Sequence, residues 1–192
     1  AMGNLANHTA SLAVVTAARG LVRAVVRLTC HGLSPRVVET AAGAIRNLAA
    51  CDRGREELAK EQAAIPALVT LVGNQDDSGR ETNLEAQLKA AGALGNLSAD
   101  RLGLEAMARE PSECVSSLLR LVGSERVDRR LRTYALVALS NSVSHPTIAA
   151  AVLAASGGTE VLVGNALACL AGHTAAAEEE EEEGEQAEGP GE

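Results

Sequence analysis

Apolar positions in this chain fall into short blocks separated by polar breaks, and the blocks recur in sets. "GAIRNLA" at 43–49, "GALGNLS" at 92–98 and "VALSNSV" at 137–143 are versions of one phrase, and "AMGNLA" at 1–6 resembles its start. The phrases lie near the ends of long predicted helices at 35–50, 83–99 and 125–144. A shorter predicted helix follows each phrase, at 11–19, 54–62, 102–110 and 147–156. A second short helix then ends in an apolar run, at 20–30, 63–73, 112–123 and 157–170. Blocks of this length, rich in Ala, Leu and Val and lacking period-two alternation, predict an all-α chain.

Local chemistry marks the same breaks. Ser34-Pro35 sets a cap residue before a first-turn proline. Thr82 and Glu85 have capping-box spacing, and Asp52 and Asp100 are placed to cap the short first helices. Pro66 and Pro111 fall at or near second-helix starts, and His145-Pro146 ends the third long helix. The stretch 73–82, "GNQDDSGRET", reads as a solvated loop.

Composition sharpens the fold class. The 192 residues are 46% hydrophobic, yet there is no Trp, no Phe and one Tyr, Tyr134. Small aliphatic side chains at that density suit closely packed helices; a sheet sandwich would want aromatic and β-branched residues. Net charge is −8, but residues 178–192 hold nine Glu and no base, so 16 of the 25 acids face 17 bases elsewhere. The tail 175–192 buries nothing and is expected to be disordered. It reads as a solubilising segment, a contact for a basic partner, or an internal pseudo-ligand folding back near Arg126–Arg132.

Cys30, Cys51, Cys114 and Cys169 stand far apart, with no CxxC pair and no Cys/His cluster at metal spacing, so reduced thiols and no metal are expected. No apolar run is long enough to span a membrane and no signal peptide is evident. A cytoplasmic location, or a nuclear one, is expected.

Aligning Asn4, Asn47, Asn96 and Asn141 gives intervals of 43, 49 and 45 residues. Helical repeats with a period in the forties are either HEAT-like or armadillo solenoids. With "AIPALVTLV" in the second helix and "AAGAIRNLA" or "AAGALGNLS" in the third, the chain resembles armadillo repeats over about residues 1–174. The resemblance implies a right-handed α-solenoid. Its units are a partial repeat 1–7, repeats 8–50, 51–99 and 100–144, and a partial repeat 145–174. Neither end has a polar cap, so a fragment of a longer array, or a truncated gene model, is expected.

In armadillo proteins the third helices line a concave groove whose recurring Asn binds the backbone of an extended peptide. The resemblance therefore implies a groove role for Asn47, Asn96 and Asn141, and for Asn4 at the open edge. A primary amide both donates and accepts, so it can hold a peptide group without demanding a side chain. The competing reading is that each Asn satisfies carbonyls near the end of its own helix. Residues 4, 7 and 11 before each Asn share its face: Gly43, Thr40 and Arg36; Gly92, Lys89 and Glu85; Val137, Tyr134 and Arg130. Gly43 and Gly92 cost helix stability, which close packing or ligand access has to offset.

Importin-α carries Trp four residues before the Asn, where this chain has Gly43, Gly92 and Val137. The phrase is closer to those of β-catenin, the yeast vacuolar armadillo adaptor and plant U-box ligases. Four Arg between 126 and 132 offer either an acidic-ligand contact or an ordinary solvated face with i,i+3 partners. A near-neutral body with one aromatic residue disfavours nucleic acid.

The four His residues form no catalytic constellation. His8 and His145 share a repeat position with Cys51 and Asp100, which reads as helix capping or exposure. No nucleophile elbow, phosphate loop or metalloprotease motif occurs. A non-enzymatic module without cofactor is expected, binding an extended peptide of a protein partner as an adaptor or scaffold. The alternative is a structural or regulatory segment of a larger scaffold (cytoskeletal, ciliary or ligase-associated) with no groove ligand.

Overall fold

The protein is described by a computed structural model, which defines residues 20–29, 34–73, 83–155, 157–160 and 163–164. Among the described residues the helices, in chain order, are α1 (Leu21–Arg27), α2 (Pro35–Ala49), α3 (Asp52–Lys60), α4 (Ala64–Gly73), α5 (Leu84–Ser98), α6 (Arg101–Met107), α7 (Pro111–Val122), α8 (Arg129–Ser142) and α9 (Pro146–Ala154), with further helical residues at 158–160 and 163–164. No strand occurs among the described residues, so the chain is all-α there.

The helices pack like against like. The long helices stack in the order α2, α5, α8; the apolar second helices stack as α1, α4, α7; and α3 packs on α6. Small side chains make the long-helix stack possible. Ala41, Ala42, Ala44 and Ala49 of α2, Ala86, Ala90, Ala91 and Ala93 of α5, and Ala135 and Ala138 of α8 are all buried. Larger residues fill the spaces between columns: Ile45, Leu48, Leu58, Leu68, Leu94, Leu97, Met107, Leu118, Leu121, Leu131, Leu139 and Ile148 are almost completely buried. Each such side chain contributes about 1.5–3 kcal/mol through its removal from water.

The turns from α2 into α3 and from α5 into α6 are tight enough to demand glycine. A Cβ on Gly54 would lie 2.0 Å from the Leu48 carbonyl oxygen, and one on Gly103 would lie 2.0 Å from that of Leu97. The third such turn is built differently, with the buried Ser142 and Ile148 standing where the others have Leu and Gly. Ser142 Oγ donates to the Ala138 carbonyl, one turn back in its own helix.

Several helix starts differ from the sequence expectation. Asn83 caps α5, its side chain accepting from Ala86 N; Thr82 lies outside the described residues. Cys51 caps α3, with Asp52 as the first helical residue. Ser34 precedes Pro35 in an extended conformation but makes no side-chain cap bond. Helix α8 starts at Arg129 behind an Asp128 cap, so Arg126 lies in the preceding turn and not on the helix.

The position shared by His, Cys and Asp is indeed the helix cap. Cys51 Sγ accepts from Gly54 N at 3.3 Å and Asp100 Oδ1 from Leu102 N at 2.7 Å. His145 occupies the same place before α9 without a side-chain cap bond.

Candidate functional site

The stacked α2, α5 and α8 bring the sequence-selected residues onto neighbouring helices, and the links between them run helix to helix. At the head of the stack, Asn83 Nδ2 donates to the Pro35 carbonyl at 2.6 Å. In the middle, Lys89 Nζ pairs with Glu39 Oε1 at 2.5 Å. Near the C-terminal ends, Asn96 Nδ2 makes a long bond to the Arg46 carbonyl at 3.5 Å, and Asn141 Nδ2 donates to Ser98 Oγ at 3.2 Å. Asn96 and Asn141 thus bridge to the preceding long helix instead of satisfying carbonyls in their own. Asn47 is half-buried and also engaged. Asn4 lies outside the described residues.

Most of the face's charge is internally balanced. Arg130 lies 3.7 Å from Glu85 on α5 and 3.4 Å from Asp128. Desolvation pushes the Asp128 carboxyl up, but backbone N–H bonds from Arg130 and Leu131, with the Arg130 charge, hold it below its ordinary value. These pairs are solvent-exposed and contribute little to stability. Arg36 is exposed in the first turn of α2, where Thr40 Oγ1 donates to its carbonyl at 2.7 Å.

Arg46, which the sequence pattern did not single out, sits at the centre. Its guanidinium crosses α5 and donates through Nη2 to Tyr134 Oη on α8 at 3.4 Å. Its Cζ lies 5.5 Å from the centroid of the Tyr134 ring. A Cβ on Gly92 would lie 3.0 Å from Arg46 Nε, and one on Gly43 would lie 3.5 Å from Lys89 Cδ. The mid-helix glycines therefore leave room for a neighbour's long side chain, rather than for a neighbour's backbone. The Arg46 contacts are modest, a cation–π interaction of about 1 kcal/mol and a hydrogen bond near the limiting distance. Among the described residues no carboxylate pairs with Arg46. The available signal was Gly92, four residues before Asn96, whose missing side chain leaves room for the arginine of the preceding long helix.

Val137, 46% exposed, lies beside Gly95 and adds an apolar edge. A separate cavity of about 150 Å³ between α4, α6 and α7 is lined by Ile65, Val69, Ala106 and Cys114. Burial, then the Glu113 charge, pushes the Cys114 thiol up to about 12, so it is no nucleophile. Cys51 and Cys114 are free thiols. No group of His, Cys, Asp or Glu among the described residues is placed to hold a metal. No helix there is long and apolar enough to cross a membrane.

No family model matches the chain, and no curated protein does. Solved structures do. One engineered protein, a Northeast Structural Genomics Consortium crystal structure, superposes with a TM-score of 0.65 at 25% identity over 85% of this chain and 38% of its own. A second engineered protein from the same consortium gives 0.62 at 25% identity, over 85% of this chain and 62% of its own. This chain thus spans less than two thirds of either protein, and the likeness is one of helical fold.

Proposed function

We propose that the chain is an armadillo-type α-solenoid segment acting as a non-enzymatic protein-interaction module in the cytoplasm. The face of α2, α5 and α8 would form its concave groove, and an extended segment of a partner protein would lie across the three helices. The observation carrying this reading is the stacking of α2, α5 and α8 with Asn47, Asn96 and Asn141 at equivalent positions near their C-terminal ends. The amides of Asn96 and Asn141 spend only part of their bonding capacity on the adjacent helix. Asn96 and Asn141 use one N–H each in the bonds described, leaving a carbonyl oxygen and a second N–H for a peptide backbone.

A specific observation favours the alternative of a structural segment without a groove ligand. Lys89 and Arg130 already have carboxylate partners inside the face, as a surface used only for internal cohesion would. The two readings separate in a capture experiment with the wild type and the triple variant N47A/N96A/N141A. The variant loses inter-helix bonds worth about 0.5–1.5 kcal/mol each, so both proteins are compared well below their melting temperatures at matched helicity. Partners lost from the fully helical variant support the groove; partners retained refute it and leave the scaffold.

A further inference from the structure

We infer that Arg46 and Tyr134 form an anion-reading subsite within that groove, taking the carboxylate of an Asp or Glu side chain on the partner's extended segment. The inference rests on the groove reading and adds the chemistry its centre would select.

Three observations converge on it. First, the cations of the face are unequal. Lys89 is neutralised by Glu39 and Arg130 by Glu85 and Asp128. Arg46 has only the Tyr134 hydroxyl and ring as partners among the described residues. Second, Arg46 is half-buried and held in place. Its stem runs over Gly92, its Nε 3.0 Å from where a Cβ would stand, and its guanidinium ends on an aromatic ring that cannot neutralise it. Partial desolvation of an unpaired cation raises its preference for an incoming anion. Third, the guanidinium keeps donors to spare. It carries five N–H groups, and the Tyr134 oxygen takes one. A carboxylate can therefore bind bidentately while the Tyr134 contact persists, in shorter and stronger bonds than the one to a phenol.

The test is a selection of random twelve-residue peptides displayed on phage against the immobilised full-length chain, run in parallel with R46Q, R46K and N47A/N96A/N141A. Wild type is expected to enrich peptides with Asp or Glu at one fixed position. R46Q is expected to enrich the same flanking pattern without the acid, and R46K to keep the acid. A selected Tyr-free peptide then serves as the probe. It should change the emission of Tyr134, the only aromatic residue in the chain. Replacing its acid by Gln or Asn should weaken binding to wild type about tenfold and leave binding to R46Q unchanged. Replacing the acid by phosphoserine distinguishes a carboxylate from a phosphate site: retained or weaker binding supports the carboxylate, and much tighter binding overturns it in favour of phosphate. Enrichment without an acidic position, or an acidic preference that survives in a fully helical R46Q, overturns the inference while leaving the groove reading intact. Failure of wild type to enrich any peptide overturns both.

Discussion

Adding one methyl group at equivalent-looking glycines should change stability in opposite directions. Gly43, at mid-helix in α2, and Gly103, in the first turn of α6, both lie within continuous helices. At Gly43 a new Cβ falls 3.5 Å from the Lys89 side chain, an ordinary van der Waals contact. G43A should therefore realise most of the helix-propensity gain, about 1 kcal/mol. At Gly103 the Cβ falls 2.0 Å from the Leu97 carbonyl oxygen and 2.7 Å from its carbon, both backbone atoms. Relief requires the end of α5 to move away from α6, and Leu97 is completely buried. Overpacking costs about 1–3 kcal/mol, and the upper end applies where no side chain can rotate aside. After the small first-turn propensity gain, G103A should lose about 2 kcal/mol. For a protein of this size that lowers the melting temperature by about 4–8 °C, while G43A raises it by about 2–4 °C. Far-UV circular dichroism in thermal and urea unfolding measures both, with an unchanged urea slope showing that stability has changed and not the surface exposed on unfolding. G54A should follow G103A, since its Cβ meets the Leu48 carbonyl at the same distance. A G103A protein melting at or above wild type would refute the steric reasoning. If G43A stabilises the fold yet lowers partner affinity, ligand access is also using that glycine.

Asn83 both caps α5 and ties it to α2; N83A should cost about 1–2 kcal/mol, whereas N83D should keep the cap and lose only the tie, which urea midpoints of the two variants would resolve. The N–H of Leu102, followed by Arg55, holds the Asp100 carboxyl below its ordinary value. Its stabilisation is therefore complete above the unfolded carboxylate value of about 3.9 and is lost as pH falls through the lower folded value. The melting temperature of D100N should consequently fall less steeply with acid than that of wild type, and parallel acid limbs would show that Asp100 carries no such linkage. Deleting residues 178–192 should raise affinity for an acidic groove peptide and flatten its salt dependence, because nine Glu would no longer compete for the same cations; unchanged affinity and salt slope in fluorescence titrations would dismiss the tail as a pseudo-ligand.

Periodicity alone determined that the described chain is helical and where its helices recur. Apolar spacing is a local property, and the break at each Gly, Pro or capping residue is written next to the helix it bounds. The shared position of Cys51, Asp100 and His145 read as capping or exposure, and the structure makes it the helix cap. Which residue of the adjacent pair Cys51 and Asp52 takes the cap was not legible, because both carry an atom that can accept from a first-turn N–H. Nor could the sequence separate Gly43 and Gly92, which accommodate neighbouring side chains, from Gly54 and Gly103, which meet backbone. The reach of Arg46 across α5 to Tyr134, 88 residues away along the chain, belongs to the tertiary structure. A guanidinium's partners are fixed by which helices stand side by side, and no local pattern encodes that distance.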